Sequence, residues 1–433
     1  MNKSLRRALA PLTAATLGLT LLAGTEATAG PAADPAAAPA SASRTSAWTA
    51  AWAASPQRPS EGFTANWSQQ GFSHQTLRQV VRVSEAGERA RIRLSNAYGA
   101  GPLHITGATI ARSGEGAAVE KGSVRRLTFG GKESTVIPAR GQTASDPAVL
   151  DVGAEESVTV TLYLAGATGP ATFHAQGFAD TYRADGDHRA DVTGRAFDEK
   201  TQSWYYLTGV DVAEGPRTGA VALFGDSITD GFGSTPGANR RYSDALADRI
   251  ERPVLNAGIG GNLVLNDSAW YGDRGTARFG RDVLDQPGVT TAVVLQGVND
   301  IGFSEAQKAG YERPTFWPAP EVSAQELIAG YRELIRQAHA RGVRVVGATL
   351  LPFGGSDHHG VHAARVSDEV NAWIRTSGEF DAVADFDRAL ADPADPERIA
   401  PRYDSGDALH PDDEGYARMA AELERVLETS PRV

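Results

Sequence analysis

The sequence predicts two successive architectures, a β-sandwich or jelly roll followed by an α/β domain on a parallel sheet. Three observations predict it. From Trp48 to about Val212, apolar and polar residues alternate with period two between Gly-containing turns, and no helical pattern interrupts them. After Glu214-Gly215-Pro216 the texture changes to short apolar runs separated by helical patterns, which means a parallel sheet covered on both faces. The chain of 433 residues has no cysteine, so it must hold itself together by burial, and about 390 mature residues suffice for two domains.

The first residues read as an address. Lys3, Arg6 and Arg7 precede an apolar stretch from Ala8 to Ala23, and Ala27-Thr28-Ala29 offers a small-residue cleavage site. Residues 1–29 are therefore expected to be a signal peptide and the mature protein to be secreted. Residues 30–46, rich in Ala, Pro and Ser, read as a flexible leader. No other segment approaches the ~20 apolar residues of a membrane span. The net charge of −11 argues against nucleic acid or an anionic membrane as partner. Lack of cysteine excludes disulfides, zinc–thiolate sites and a thiol nucleophile.

The β domain is expected over residues 47–215. Leu77–Val83 and Arg89–Leu94 alternate on either side of Glu85-Ala86-Gly87-Glu88, a hairpin signal. His104–Arg112 and Val158–Leu164 repeat the theme, the latter with Val158, Val160, Leu162 and Leu164 on one face. The α/β domain is expected over 216–433. Its strands are predicted at Ala220–Phe224, Val254–Asn256, Thr291–Leu295, Val343–Leu350 and Asp381–Phe386. The clearest helix runs from Ser323 to Arg341, with a capping box in Ser323-Ala324-Gln325-Glu326 and Gly342 just past its end.

Four segments carry chemistry. Gly225-Asp226-Ser227 follows the first parallel strand, Asn256–Asn262 the second and Gly297-Val298-Asn299-Asp300 the third, while Asp407-Ala408-Leu409-His410 precedes the C-terminal helix. Strand ends of open α/β sheets are where ligand sites assemble. A serine becomes a nucleophile only when a base takes its proton. Asp407 and His410, three apart, can share one side of a tight turn, so that the carboxylate orients an imidazole whose other nitrogen serves Ser227. Oxyanion donors are available from the Ser227 N–H, the Gly261 N–H and the Asn299 amide.

These blocks resemble the signature of the SGNH (GDSL-type) hydrolase family over roughly residues 217–430. The resemblance implies Ser227 as nucleophile, Asp407 and His410 completing the triad, and Gly261 and Asn299 in the oxyanion hole, with neighbouring Gly260 as the other glycine to weigh. It also implies a three-layer α/β/α domain on a five-stranded parallel sheet, with no metal or organic cofactor. Trp48–Pro56 is similar to the opening of secreted family members with an N-terminal β domain, among them acylhydrolases of bacterial xylan-degrading clusters. The expected function is a secreted serine esterase acting on short-chain or acetyl esters of carbohydrates. Lipid or phospholipid acyl hydrolysis is the alternative, and a catalytically silent polysaccharide- or wall-binding protein is the alternative of another class. The sequence does not indicate an oligomeric state.

Other motifs are weaker. The Gly258–Leu263 run lacks the third glycine of a dinucleotide fingerprint, and a Gly-x-Ser-x-Gly elbow is absent, since Thr229 stands two after Ser227. His358, His359 and His362 cluster in one loop, expected to be solvated rather than metal-binding, with a place along the substrate cleft as a further option. Trp48, Trp52, Trp67, Trp204, Tyr205 and Tyr206 are expected to pack internally rather than to form a sugar platform.

Overall fold

Residues 48–215, 218–311, 314–317 and 319–429 are described by a computed structural model. The signal peptide and leader expected at 1–29 and 30–46 lie outside the described residues. Up to Ala213 the chain forms antiparallel sheets. One has the order Thr49–Ala53, Leu207–Ala213, Gly87–Ser95 and Gln142–Ala144, with Ala148–Val152 also on Gly87–Ser95. The other has the order Glu199–Thr201, Thr181–Asp185, Gln75–Arg82, Ser157–Leu164, Gly107–Arg112 and Arg125–Leu127. Apolar residues of both sheets, such as Ile92, Leu94 and Val210 from the first and Leu77, Val160 and Leu162 from the second, share one core. The alternation read from the sequence is thus the pattern of sheets with one face turned to a common interior.

The hairpin expected at 77–94 is not formed. Gln75–Arg82 pairs with Ser157–Leu164 and Thr181–Asp185, whereas Gly87–Ser95 pairs with Leu207–Ala213 and the two strands beyond it. The chain changes sheets within one residue: the Val83 N–H bonds the Glu156 carbonyl, and the Ser84 N–H bonds Ala51. Period-two alternation is the same for two strands paired side by side and for two that face each other across a core. The expected internal packing holds for Trp52, Trp67, Trp204, Tyr205 and Tyr206, all buried, whereas Trp48 is half-buried.

From Ala220 the chain builds a five-stranded parallel sheet. Its strands are β1 (Ala220–Gly225), β2 (Val254–Gly258), β3 (Val289–Leu295), β4 (Arg344–Ala348) and β5 (Ala382–Ala384), in the order β2-β1-β3-β4-β5. Every residue of β1 is buried, as a strand covered on both faces requires. The fifth strand is shorter than expected because Asp385 leaves it to cap a helix, accepting from the Arg388 N–H. The helices are α1 (Ser227–Asp230), α2 (Tyr242–Ala247), α3 (Gly275–Phe279), α4 (Val298–Lys308), α5 (Ala324–His339), α6 (Val361–Thr376), α7 (Phe386–Leu390) and α8 (Asp413–Glu428). Helices α2, α7 and α8 pack together, as do α3, α4, α5 and α6, giving helix, sheet and helix layers. The Ser323 box caps α5, with Ser323 Oγ accepting from the Glu326 N–H and Glu326 Oε2 accepting from the Ser323 N–H. No described helix is long and apolar enough to cross a membrane.

The order reverses between β1, with β2 on one side, and β3 on the other. Ligands of open α/β sheets bind at such a switch point. The antiparallel half meets this sheet closely: Ser84 Oγ bonds both the N–H and the carbonyl of Val254, and the Ala50 N–H donates to Pro287.

Candidate active site

Ser227 opens α1 directly after β1. The turn is tight because Gly225 has no Cβ; one there would strike Thr229 and the Leu295 carbonyl. Asp226 caps the helix by accepting from the Ile228 N–H at 3.1 Å, and Gly231 (φ +108°) closes it. In a helix of one turn these caps are what fix the direction of the Ser227 hydroxyl.

Ser227 Oγ lies 2.8 Å from His410 Nε2, and His410 Nδ1 lies 2.6 Å from Asp407 Oδ2. The Asp407–His410 pair sits in a tight turn, not on a helix. Asp407 Oδ1 accepts from the N–H groups of Leu409 and His410 at 3.0 and 2.9 Å, and Asp404 Oδ1 holds the N–H groups of Gly406 and Ala408. Ala408 carries φ +60°, a left-handed conformation that costs a non-glycine residue about 1–2 kcal/mol and so reflects an over-determined loop. Burial would raise the Asp407 carboxyl, but its bonds to the His410 ring, the charge of that ring and the two N–H donors outweigh burial and hold it at about 2. Phe232 covers the imidazole with ring centroids 4.5 Å apart.

The second and third blocks meet beside this turn. The Ile259 N–H donates to the Gly225 carbonyl. Asp230 Oδ2 accepts from the Gly260 N–H at 2.9 Å, so this amide is engaged, whereas the Gly261 N–H has no hydrogen bond among the described residues. Gly261 has φ +73°, and a Cβ there would strike the Tyr271 ring. Asn299, buried in the first turn of α4, donates from Nδ2 to the Asn262 carbonyl at 3.1 Å. Asp300, its neighbour, accepts from the N–H groups of Val264 and Leu265. Burial raises Asp226 and Asp300 to about 7, against the pull of those N–H donors.

Two further parts of the site, Arg278 and His174, went unread in the sequence, and a third, His358, was read only as a loop histidine. Arg278, on α3 and fully buried, donates to the carbonyls of Gly225 and Ala257 and to Asn262 Oδ1, at 2.6, 2.8 and 2.8 Å. It ties the carboxyl ends of β1 and β2 to the glycine loop. Its charge is met by Asp282 at 3.2 Å, four residues on where α3 runs into a π turn at Gly280–Leu284. His174, from the antiparallel half, lies 3.0 Å by Nε2 from Asp230 Oδ1 and 2.9 Å by Nδ1 from the Ser55 carbonyl. His358 is buried, not solvated as expected, with Nε2 3.1 Å from Asn299 Oδ1. His362 bonds the Val322 carbonyl instead. Among the described residues no group of three or more His, Cys, Asp or Glu side chains is disposed to hold a metal ion.

The five-stranded parallel sheet thus carries the Ser227–His410–Asp407 chain beside its switch point. Residues 223–418 match the family described as GDSL-like Lipase/Acylhydrolase, a match that supports a carboxylic ester hydrolase. Similar solved structures include a GDSL-like lipase from Bacteroides thetaiotaomicron VPI-5482, 18% identical, with a TM-score of 0.37 over 49% of this chain and 88% of that one. Another is a catalytic mutant of the acetylxylan esterase Axe2 from Geobacillus stearothermophilus, 20% identical, with a TM-score of 0.35 over 48% of this chain and 93% of that one. No curated protein matches the chain.

Proposed function

We propose that this protein is a secreted serine esterase that cleaves short-chain or acetyl esters of carbohydrates through an acyl-enzyme. The observation that carries the reading is the unbroken chain from Ser227 Oγ through His410 to Asp407, at 2.8 and 2.6 Å. Ser227 Oγ attacks the ester carbonyl carbon as its proton passes to His410 Nε2. The tetrahedral oxyanion takes the N–H groups of Ser227 and Gly261 and the second Nδ2 hydrogen of Asn299. The engagement of the Gly260 N–H by Asp230 supports Gly261 as the glycine donor. His410 then gives its proton to the departing alcohol. Water, deprotonated by the same nitrogen, attacks the acyl carbon and releases the acid and Ser227. Asp407, ionised down to about pH 2, holds the imidazole with its second nitrogen toward Ser227.

Secretion rests on the signal peptide read at 1–29, and a carbohydrate ester on the pairing of a secreted hydrolase domain (216–433) with an additional β domain (47–215). The test is labelling by a fluorophosphonate probe and turnover of p-nitrophenyl acetate, wild type beside Ser227→Ala. The wild type labels and turns over, and the variant loses several orders of magnitude in kcat. A wild type that does neither refutes the reading. Acetylated xylan, set against p-nitrophenyl esters of rising chain length, then tests the substrate class; a preference for long chains refutes the short-chain assignment.

A further inference from the structure

Asn299 is held from two sides. Its Nδ2 donates to the Asn262 carbonyl, and its Oδ1 lies 3.1 Å from His358 Nε2. The other nitrogen of His358, Nδ1, lies 2.6 Å from Asp357 Oδ1. The imidazole is 5% exposed and meets Phe303 and Phe316 edge-on, at centroid distances of 5.5 and 6.3 Å. Space for it comes from Gly302, one helical turn after Asn299: a Cβ there would lie 2.5 Å from His358 Cβ and Cγ. The loop also abuts Glu305 through Gly360, where a Cβ would strike the carboxylate.

A carboxamide can sit in either of two orientations related by a half turn. Turned over, Asn299 would set its oxygen against the Asn262 carbonyl and toward any oxyanion. A donor at His358 Nε2 forbids that orientation, because only an oxygen can face it. The same bond draws charge toward Oδ1 and leaves the Nδ2 hydrogens more positive, as hydrogen bonds in a chain polarise one another.

We propose that the Asp357–His358 pair is a positioning device that fixes and polarises the Asn299 amide for the oxyanion. The proposal rests on the hydrolase reading above and extends it to a loop that the four sequence blocks do not include. It is tested on the full-length protein with p-nitrophenyl acetate, comparing wild type, His358→Ala, His358→Gln, Asn299→Ala and the double variant His358→Ala/Asn299→Ala. Losing an oxyanion donor costs about 10²–10³ in kcat, so loosening one should cost His358→Ala roughly 10-fold in kcat with KM within about 2-fold. His358→Gln, which keeps an N–H within reach of Oδ1, should recover part of that loss. In the Asn299→Ala background, His358→Ala should cost less than about 2-fold more, because the group it positions is gone. An additive cycle, a loss carried by KM, or a Gln variant no better than Ala overturns the positioning role while Ser227-dependent turnover stands. Absence of Ser227-dependent turnover in the wild type overturns the hydrolase reading beneath it.

Discussion

Substitution of Gly261 by alanine gives the sharpest test of the proposed oxyanion hole. At φ +73° the added Cβ would lie 2.6 Å from Tyr271 Cε1 and Cγ, where ordinary carbon contacts are about 3.5 Å. Something must give by roughly 1 Å. Tyr271 is poorly placed to yield: it is 5% exposed, its ring stacks on Phe63 and tilts against Phe303, and its carbonyl is bonded by Asn262 Nδ2. The left-handed backbone adds about 1–2 kcal/mol and overpacking about 1–3 kcal/mol. At roughly 2–4 °C per kcal/mol, Tm should fall by about 4–20 °C. A 1 Å displacement of the N–H should lower kcat/KM about 10²-fold. Gly260→Ala is the internal control. Its Cβ would meet the Gln176 carboxamide and the Phe63 edge, side-chain ends that can move, and its N–H is already committed to Asp230. Less than about a 10-fold loss is expected there, read by p-nitrophenyl acetate kinetics beside thermal melting. A Gly261→Ala enzyme with wild-type kcat/KM, or a larger loss from Gly260→Ala, refutes the assignment.

Other consequences follow from the same geometry. Asp407→Asn should cut kcat by about 10³–10⁴. Because Asp407 is held at about 2, below its ordinary value, its contribution to stability is present above about pH 4 and fades toward pH 2, so a pH profile of kcat/KM should contain no inflection from this carboxylate between pH 3 and 5. His174→Phe leaves Asp230 Oδ1 without its histidine in a buried site, which should cost up to about 3–5 kcal/mol in urea unfolding; a loss below 1 kcal/mol, on the order of a surface pair, would show that the bond is dispensable. Asp226, raised to about 7 by burial, favours the fold when protonated. That stability is lost as pH rises through 7, and Asp226→Asn should shrink the fall in Tm between pH 5 and 8.

The sequence made some parts of this molecule plain and left others silent, and the division is physical. Strand β1 was legible because a strand buried on both faces is a continuous apolar run, and α5 because its capping box and C-terminal glycine are local. The link between Asp407 and His410 was legible because a three-residue spacing is itself geometric. The hairpin error at 77–94 arose because alternation reports a buried face, not a partner. Arg278 and His174 were silent, and the burial of His358 was missed, for a shared reason. Each acts through contacts far apart in sequence, with Gly225, Asp230 and Asn299 respectively, and each belongs to a residue type whose local pattern usually signals a solvated surface. The one local hint for His358 was its company, an aspartate just before it and a glycine loop around it. The glycine that makes its space, Gly302, lies on another element.

The bond from His174 to Asp230 bears on how such a protein can be cut, shuffled or exchanged. One carboxylate of α1 binds a histidine of the antiparallel half with one oxygen and the glycine loop with the other. Arg241 reaches back to the Gly177 carbonyl and Arg278 to Ser55 Oγ. A fragment starting at β1 would keep Ser227, Asp407 and His410 yet leave two arginines and an aspartate facing water in place of their partners. The two halves are thus not interchangeable cassettes. A graft of the antiparallel half from another protein would have to bring a histidine, a serine hydroxyl and a backbone carbonyl to the same three points.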